Sequence, residues 1–159
     1  MPSTAAPDYD SIQSTGCTIG NGLGIGPGQL IYQFQCGVAS DGSLWLTDYG
    51  SHRLLHFRQS GELIQTFGTV GNHPSSIAVS HLGSSLFVMH QSRLKEYNQR
   101  DGVLVRTVGM ANTGPEMDCA CGMSLSPGET LLAVACAQRH CISLIDMEGG
   151  VAPFNTGAM

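Results

Sequence analysis

Short apolar runs recur along the chain at nearly constant spacing. The clearest three are LWLTD (44–48), LFVMH (86–90) and LLAVA (131–135), whose first residues stand 42 and 45 positions apart. Their length and composition favour strands, and no amphipathic helical period longer than about two turns is visible in the sequence. The pattern therefore predicts an all-β protein built from internal repeats.

Each repeat contains four such runs, joined by turn-forming residues. In the first repeat GVASDGS precedes LWLTD, and RLLHF, QSGE and LIQTFG follow it. The dipeptides Asp41-Gly42, Asp101-Gly102 and Pro127-Gly128 mark turns, with glycine expected at the position of positive φ. Four short strands in about 40 residues predict a four-stranded antiparallel meander, which must stack on its neighbours to bury both faces.

The strand assignment decides what His52 and His56 can do, since they stand four positions apart. On a helix the two side chains would share a face and could hold one metal ion. On a strand, at ~3.3 Å per residue, they lie about 13 Å apart, whereas metal–nitrogen bonds are only ~2 Å long. The repeat places both residues on or beside a third strand, so we expect no shared metal site.

The order of residues in GVASDGSLWLTDYGSHRLLHFRQSGELIQTFG resembles an NHL repeat of a six-bladed, TolB/YVTN-like β-propeller. The resemblance includes GPGQL (26–30), the loop from Asp48 to Arg53 and the closing TFG, and it extends over residues 16 to about 154. It implies that Asp48 and Arg53 form a structural polar pair. The corresponding places in the second and third repeats hold His90 and Arg93, then Ala135 and Cys141.

Three repeats make only part of such a ring. We predict a disordered segment over residues 1–15, a partial propeller over 16–154 and a tail over 155–159. The blades are expected at about 31–68, 73–109 and 119–154, preceded by CTIG (17–20) as one strand of a further blade. Because propellers need about 4–8 blades, three arrangements stay open: a fragment of a six-bladed chain, two half-rings that pair, or an arc that a partner completes.

Composition narrows the classes of function. The formal net charge is −5 and Lys95 is the single lysine, which disfavours a nucleic-acid surface that rests on phosphate contacts. We expect no membrane association, because the sequence has no run of about 18 apolar residues and no secretory signal pattern. Six cysteines without an export signal are typical of reduced thiols, which predicts a cytoplasmic protein.

Cysteine is a common zinc ligand, and four cysteines are candidates for a zinc site: Cys119, Cys121, Cys136 and Cys141. Their spacing lacks the paired C-x₂₋₄-C knuckles of such sites, so we interpret them as small apolar residues in neighbouring strands. SRLK (92–95) matches the S-x-x-K motif of penicillin-recognising serine enzymes, but it falls on a predicted strand rather than on the helix that this motif needs. The sequence assigns no catalytic residue, metal or other cofactor.

Binding residues are expected in the loops between the second and third strands, which share one rim of a propeller and commonly carry recognition. The candidates are Tyr49, His52, Arg53, His90, Arg93, Arg139 and His140. The aromatic residues at equivalent strand positions are instead expected in the core between blades: Trp45, Phe57, Phe67, Phe87 and Tyr97.

The resemblance implies a non-catalytic scaffold that binds a protein or peptide, as in the substrate-recognition part of a ubiquitin ligase. Two alternatives stay open: a metal-dependent lyase or hydrolase of the six-bladed propeller class, and an RNA-binding NHL propeller. Self-association that completes the ring is a further expected interaction.

Overall fold

The computed structural model describes residues 19–68, 73–90, 93–108, 120–136 and 140–148. These residues form three antiparallel sheets and, apart from a three-residue 3₁₀ turn at Tyr49–Ser51, no helix. The predicted all-β class is therefore confirmed. In chain order the strands are β1 (Gln33–Val38), β2 (Leu44–Asp48), β3 (Arg53–Phe57), β4 (Leu63–Gly68), β5 (Pro74–Val79), β6 (Ser85–His90), β7 (Arg93–Asn98), β8 (Leu104–Val108), β9 (Ala120–Leu125), β10 (Leu131–Cys136) and β11 (Cys141–Asp146).

Strands that follow one another in the chain pair within each sheet. The first sheet has the order β1-β2-β3-β4, the second β5-β6-β7-β8 and the third β9-β10-β11. Strand β5 contacts both β1 and β9, so the first strands of the three sheets lie side by side. This is how propeller blades stand around an axis, with the first strand of each blade innermost. The predicted meanders and their stacking as a partial propeller are confirmed.

Each of the three inner strands has a β-bulge at its N-terminal end. The irregularities lie at 33–36 in β1, 74–76 in β5 and 120–122 in β9. A second shared irregularity lies between the third and fourth strands of the first two sheets, where Ile64 on β4 and Val105 on β8 are the extra residues opposite His56–Phe57 and Glu96–Tyr97. A bulge bends a strand and increases its twist, so the repeats share fine geometry as well as strand order.

Strand β6 illustrates why the blades stack. Its Leu86 and Val88 belong to the core between the first and second sheets, whereas Phe87 and Met89 belong to the core between the second and third. Because side chains alternate across a strand, both faces of the middle sheet are buried against a neighbour. Each fully buried side chain of this size contributes roughly 1.5–3 kcal/mol to folding.

The aromatic residues predicted for the core between blades are all buried: Trp45, Phe57, Phe67, Phe87 and Tyr97. The Trp45 ring lies between two other rings, with centroid distances of 4.0 Å to His56 and 5.4 Å to Phe67. Both contacts are stacked, with interplanar angles of 11° and 17°. Their equivalent positions in the repeats were enough to predict that they are buried.

Gln35, on β1, links all three inner strands. Its side-chain oxygen accepts a 3.0 Å hydrogen bond from the backbone N–H of Ile77 on β5. Its Nε2 donates to the carbonyl of Met123 on β9 at 3.4 Å. One half-buried side chain thus connects the three blades where they approach the axis.

The glycine turns follow the prediction at two of its three positions. Gly42 and Gly102 adopt positive φ angles of 81° and 65°, whereas Gly128 does not. In the β9–β10 turn the positive φ, 55°, belongs to Glu129, whose N–H donates to the carbonyl of Ser126. Pro127-Gly128 therefore supply the two central positions of this turn, and the left-handed position falls one residue later than predicted.

Several sequence predictions lie outside the described residues. These are the disordered segment 1–15, the tail 155–159 and the fourth strand of the third blade, VAPF (151–154). Of CTIG (17–20), only Ile19 and Gly20 are described, and neither belongs to a strand. Within the described ranges, no helix has the length and apolar character needed to cross a bilayer.

Candidate binding surface at one rim

Asp48 and Arg53 close the loop between β2 and β3 with a buried ion pair. The Arg53 Nε donates to Asp48 Oδ2 at 3.0 Å, and these side chains are only 11% and 0% exposed. The two terminal nitrogens of Arg53 donate to the carbonyls of Ile25 (2.8 Å) and Gln29 (2.6 Å). The donors of the planar guanidinium group are therefore hydrogen-bonded within the protein, to one carboxylate and to backbone oxygens.

The partner of this ion pair is the segment over residues 19–32, which we call the lead-in segment. Asp48 Oδ1 accepts hydrogen bonds from the backbone N–H groups of Ile31 (3.2 Å) and Tyr32 (3.1 Å). Within the segment, Asn21 N donates to Gly28 O at 2.8 Å and Leu30 N to Gly22 O at 2.9 Å. The glycine-rich run GNGLGIGPG (20–28) is therefore a structured connection held against the rim by Asp48 and Arg53.

Four ring side chains, Tyr32, Tyr49, His73 and His52, form a row at this rim, which we call the aromatic rim. The Tyr32 and Tyr49 centroids are 5.9 Å apart at an interplanar angle of 64°. Tyr49 lies 4.5 Å from His73, and His73 lies 4.3 Å from His52. Tyr32 is 57% exposed, and the other three rings are half-buried. The row brings together the lead-in segment, the β2–β3 loop and the start of β5.

Exposed aliphatic side chains lie in the lead-in segment, which also supplies Tyr32 of the aromatic rim. Leu23 and Ile25 of the lead-in segment are 80% and 72% exposed, and Ile31 is 39% exposed. Arg53 binds the carbonyl of Ile25, Asp48 binds the N–H of Ile31, and Leu23 is bridged to Leu30, so these apolar groups face solvent from an ordered loop. Exposed apolar residues gathered beside aromatic rings are typical of interaction surfaces.

The predicted binding residues separate into two groups. Tyr49 and His52 lie in the aromatic rim, whereas Arg53 and His90 are buried, with exposed fractions of 9% and 3%. His90 Nε2 is hydrogen-bonded to the Tyr97 hydroxyl at 2.9 Å. The expectation that Arg53 and His90 face a ligand therefore needs correction, because both side chains turn inward to satisfy polar groups of the fold.

The remaining predicted residues are spread along the rim. Arg93 and His140 are exposed at the starts of β7 and β11, and Arg139 lies outside the described residues. The binding residues predicted from the sequence include neither Tyr32 nor His73. Both join the site through contacts with Tyr49, and no local pattern in the sequence signals those contacts.

The pairing of β10 with β11 corrects a predicted equivalence in the third repeat. Cys141 pairs with Cys136, not with Ala135, just as Arg53 pairs with Asp48 and Arg93 with His90. The prediction aligned LLAVA with LWLTD, but β10 is one residue longer than β2. A one-residue slip moves a side chain to the other face of the sheet.

Of the four cysteines considered as zinc ligands, only Cys136 has a described side chain. Cys119 lies beyond the described residues, and of the side chains at 121, 136 and 141 only that of Cys136 is described. Cys136 is buried, with its sulfur 3.7 Å from the Val134 carbonyl and 3.8 Å from Ser143 Oγ. Among the described residues, no three His, Cys, Asp or Glu side chains gather into a potential metal site.

Asp41, Ser43 and His56 form a hydrogen-bonded row toward the opposite rim. The Ser43 hydroxyl donates to Asp41 Oδ1 at 2.6 Å, so its oxygen accepts from His56 Nε2 at 2.8 Å. A nucleophilic serine needs the reverse polarity, with its proton passing to the histidine. Burial lowers the pKa of His56, and the Ser43 hydrogen bonds lower that of Asp41. The row stabilises the β1–β2 turn and does not activate the serine.

Comparison with known proteins agrees with this architecture. No protein-family model and no curated protein matches the sequence. Hydrazine synthase of Kuenenia stuttgartiensis, a protein that contains a β-propeller, is similar over 89% of this chain with a TM-score of 0.63 and 18% sequence identity. The shared feature is the fold. This chain spans 38% of the length of that hydrazine synthase chain.

Proposed function

We propose that this chain is a partial propeller of NHL type that acts as a non-catalytic scaffold and binds a protein or peptide at the aromatic rim. The observation that carries the proposal is the row of contacts from Tyr32 through Tyr49 and His73 to His52. Leu23 and Ile25, in the same lead-in segment as Tyr32, add exposed apolar side chains. Tyrosine supplies a large apolar contact area and a polar tip at a low cost in side-chain entropy.

Rigidity of the surrounding loops supports the proposal. The ion pair between Asp48 and Arg53 holds the lead-in segment through backbone atoms, so Ile25 and Tyr32 keep their positions without a ligand. A surface that is already ordered loses less entropy when a partner binds. The aromatic rim therefore has the preorganisation expected of a recognition surface.

The charges beside the aromatic rim favour a peptide over RNA. Arg53 is the cation within the β2–β3 loop, and its donors are engaged by Asp48 and by backbone carbonyls. RNA binding rests on Lys and Arg side chains that face phosphate, and on bases stacked against exposed rings. The rim offers rings with an internally neutralised arginine, which suits an apolar or aromatic peptide segment.

The resemblance to NHL repeats supports two further parts of the proposal. The bound protein is a substrate that this scaffold presents to a ubiquitin ligase, whose catalytic domain lies outside residues 1–159. The apolar faces at the two ends of the arc are covered in the working protein by further blades or by a second copy of the chain.

The proposal is tested by selecting binders from a random peptide library displayed on phage, with the purified chain as bait. Selected peptides are then measured against a Tyr32→Ala/Tyr49→Ala variant and against Leu82→Ala, which alters a 73% exposed residue at the opposite rim. We expect the double variant to bind about tenfold or more weakly, because truncating interface aromatics costs most of the binding energy. The Leu82→Ala control should bind like wild type.

Two results would overturn the proposal. One is a library that yields no peptide above background, and the other is a set of peptides whose affinity is the same for wild type and the double variant. A parallel titration with labelled single-stranded RNA, repeated at two salt concentrations, identifies the RNA-binding alternative if binding is tight and falls steeply with salt.

A further inference from the structure

His52 and His73 join the first sheet to the second within the aromatic rim. His52 ends the 3₁₀ turn before β3, and His73 immediately precedes β5. The backbone N–H of His73 donates to His52 Nδ1 at 3.0 Å, and the two rings meet edge to face at 4.3 Å. One imidazole nitrogen thus holds the start of the second blade against the first.

The direction of this hydrogen bond fixes the protonation state of His52. An Nδ1 that accepts a hydrogen bond carries no proton, so the imidazole is neutral with its proton on Nε2. A protonated imidazole is a donor at both nitrogens. Its Nδ1–H would then face the N–H of His73, and the hydrogen bond would be lost.

His73 does not compensate for such a change. Its Nδ1 is buried, and no hydrogen-bond partner for that atom lies within the described part of the chain. A proton placed there would be a buried donor without an acceptor, which is costly. Two imidazolium rings in contact would also repel each other. Protonation of either ring would therefore weaken the contacts that hold the joint closed.

Among the described residues, the groups packed on the joint are aromatic rings. Tyr49 packs on His73, and Tyr32 packs on Tyr49. The charged groups of the same loop are Asp48 and Arg53, and Asp48 is engaged by Arg53 Nε and by two backbone N–H groups. Pro74 and Ser75, which follow His73 in β5, carry no charge.

The backbone of the joint is strained in the state that the hydrogen bond holds. His52 and His73 have φ angles of 54° and 57°, in the left-handed region that residues other than glycine rarely adopt. Such strain persists only while surrounding contacts maintain it, and it commonly marks switch segments. Loss of the hydrogen bond would let both residues relax.

We propose that His52 and His73 form a proton-sensitive joint that opens when His52 gains a proton, displacing Tyr49 and weakening peptide binding at the aromatic rim. The part that concerns ligand binding rests on the proposed function. The opening of the joint rests only on the geometry of the two histidines.

The test uses the full chain and measures the hydrogen-exchange protection of the His73 amide by NMR, corrected for the intrinsic pH dependence of exchange. The decisive variant is His52→Asn, because asparagine tolerates positive φ, offers a side-chain oxygen acceptor and does not titrate. His81→Asn is the matched control, since His81 is an exposed histidine at the opposite rim. Amides of β3 report global stability.

Between about pH 7.5 and pH 5.5 we expect protection of the His73 amide to fall about tenfold or more in wild type and in His81→Asn. In His52→Asn it should stay constant, and the β3 amides should stay protected in every protein. Protection that is unchanged with pH in wild type would overturn the proposal. An equal fall in His52→Asn, or a parallel fall in the β3 amides, would do the same.

Peptides selected at neutral pH supply the second measurement. We expect their affinity to fall about tenfold on acidification for wild type and to change little for His52→Asn. If no peptide is selected, the proposed function fails while the exchange measurement still decides the joint. If peptides bind but His73 exchange is insensitive to pH, the joint fails and the proposed function stands.

Discussion

Glu129 accepts a 2.5 Å hydrogen bond from Ser80 Oγ across the junction between the second and third sheets. The same carboxylate accepts the backbone N–H groups of His81 (2.5 Å) and Leu82 (3.1 Å). Glu129 also has a φ of 55°, where L-residues other than glycine are strained. A conformational cost in the third blade is thus offset by three hydrogen bonds to the second.

Replacing Glu129 by Ala and by Gly separates the strain from the hydrogen bonds. Both variants lose all three hydrogen bonds to the second blade, which should lower the free energy of unfolding by roughly 1–2 kcal/mol. The Gly variant should nevertheless be about 1 kcal/mol more stable than the Ala variant, because a positive φ at position 129 is strained for alanine but not for glycine. Urea denaturation measures both. An Ala variant as stable as the Gly variant would show that the backbone at 129 is not strained.

The stability of the protein should also depend on pH through Glu129. Burial raises the pKa of its carboxyl, but the hydrogen bonds from Ser80, His81 and Leu82 outweigh burial and lower the pKa below its ordinary value of 4.5. A lowered pKa in the folded state stabilises the fold above pH 4.5, and this contribution is lost as the pH falls through the folded-state pKa. We therefore expect the stability difference between wild type and Glu129→Gln to shrink on acidification below pH 4.5. A difference that is constant or grows would contradict the linkage.

Arg53→Lys tests how the lead-in segment is held. Lysine keeps the positive charge beside Asp48 but lacks the planar fork that reaches the carbonyls of Ile25 and Gln29. We expect cleavage within residues 22–25 by a nonspecific protease to accelerate about tenfold while the sheets stay folded. Arg93→Lys is the matched control, because Arg93 stands at the equivalent strand position and is exposed. Equal cleavage of both variants would mean that the guanidinium contacts do not order the segment.

Gln35→Ala tests the link between the three inner strands. Truncation leaves the Ile77 N–H and the Met123 carbonyl without their side-chain partner, which should cost about 1–3 kcal/mol of unfolding free energy. Gln65→Ala, on the exposed face of β4, should change stability by no more than about 0.5 kcal/mol. Thermal or urea unfolding compares the pair. Similar small losses in both variants would assign Gln35 no bridging role.

Much of the fold could be predicted from local patterns. Equivalent positions in successive repeats placed Trp45 and Tyr97 in the core, since repeats that fold alike bury the same strand positions. The repeat length predicted the meanders and their stacking. The turn at Glu129 escaped prediction, because Pro127-Gly128 fit the two central positions as well as the position of positive φ.

The candidate site was predictable only in part. Tyr49 and His52 follow from their place in a loop between strands, and Asp48 with Arg53 follows from the resemblance. Tyr32 and His73 do not, because their roles depend on rings and backbone groups from other repeats or segments. The same holds for Gln35, whose partners lie 42 and 88 positions away in the chain.

The sequence by itself determined the period of the repeat, the strands and the face on which most apolar side chains lie, because these depend on spacings of two residues and on turn chemistry within a few positions. Only the tertiary structure decided that Arg53 and His90 turn inward, that Cys136 pairs with Cys141, and that His52 meets His73. Those outcomes depend on strand register, bulges and the stacking of one blade on the next, which bring together atoms that no local spacing relates.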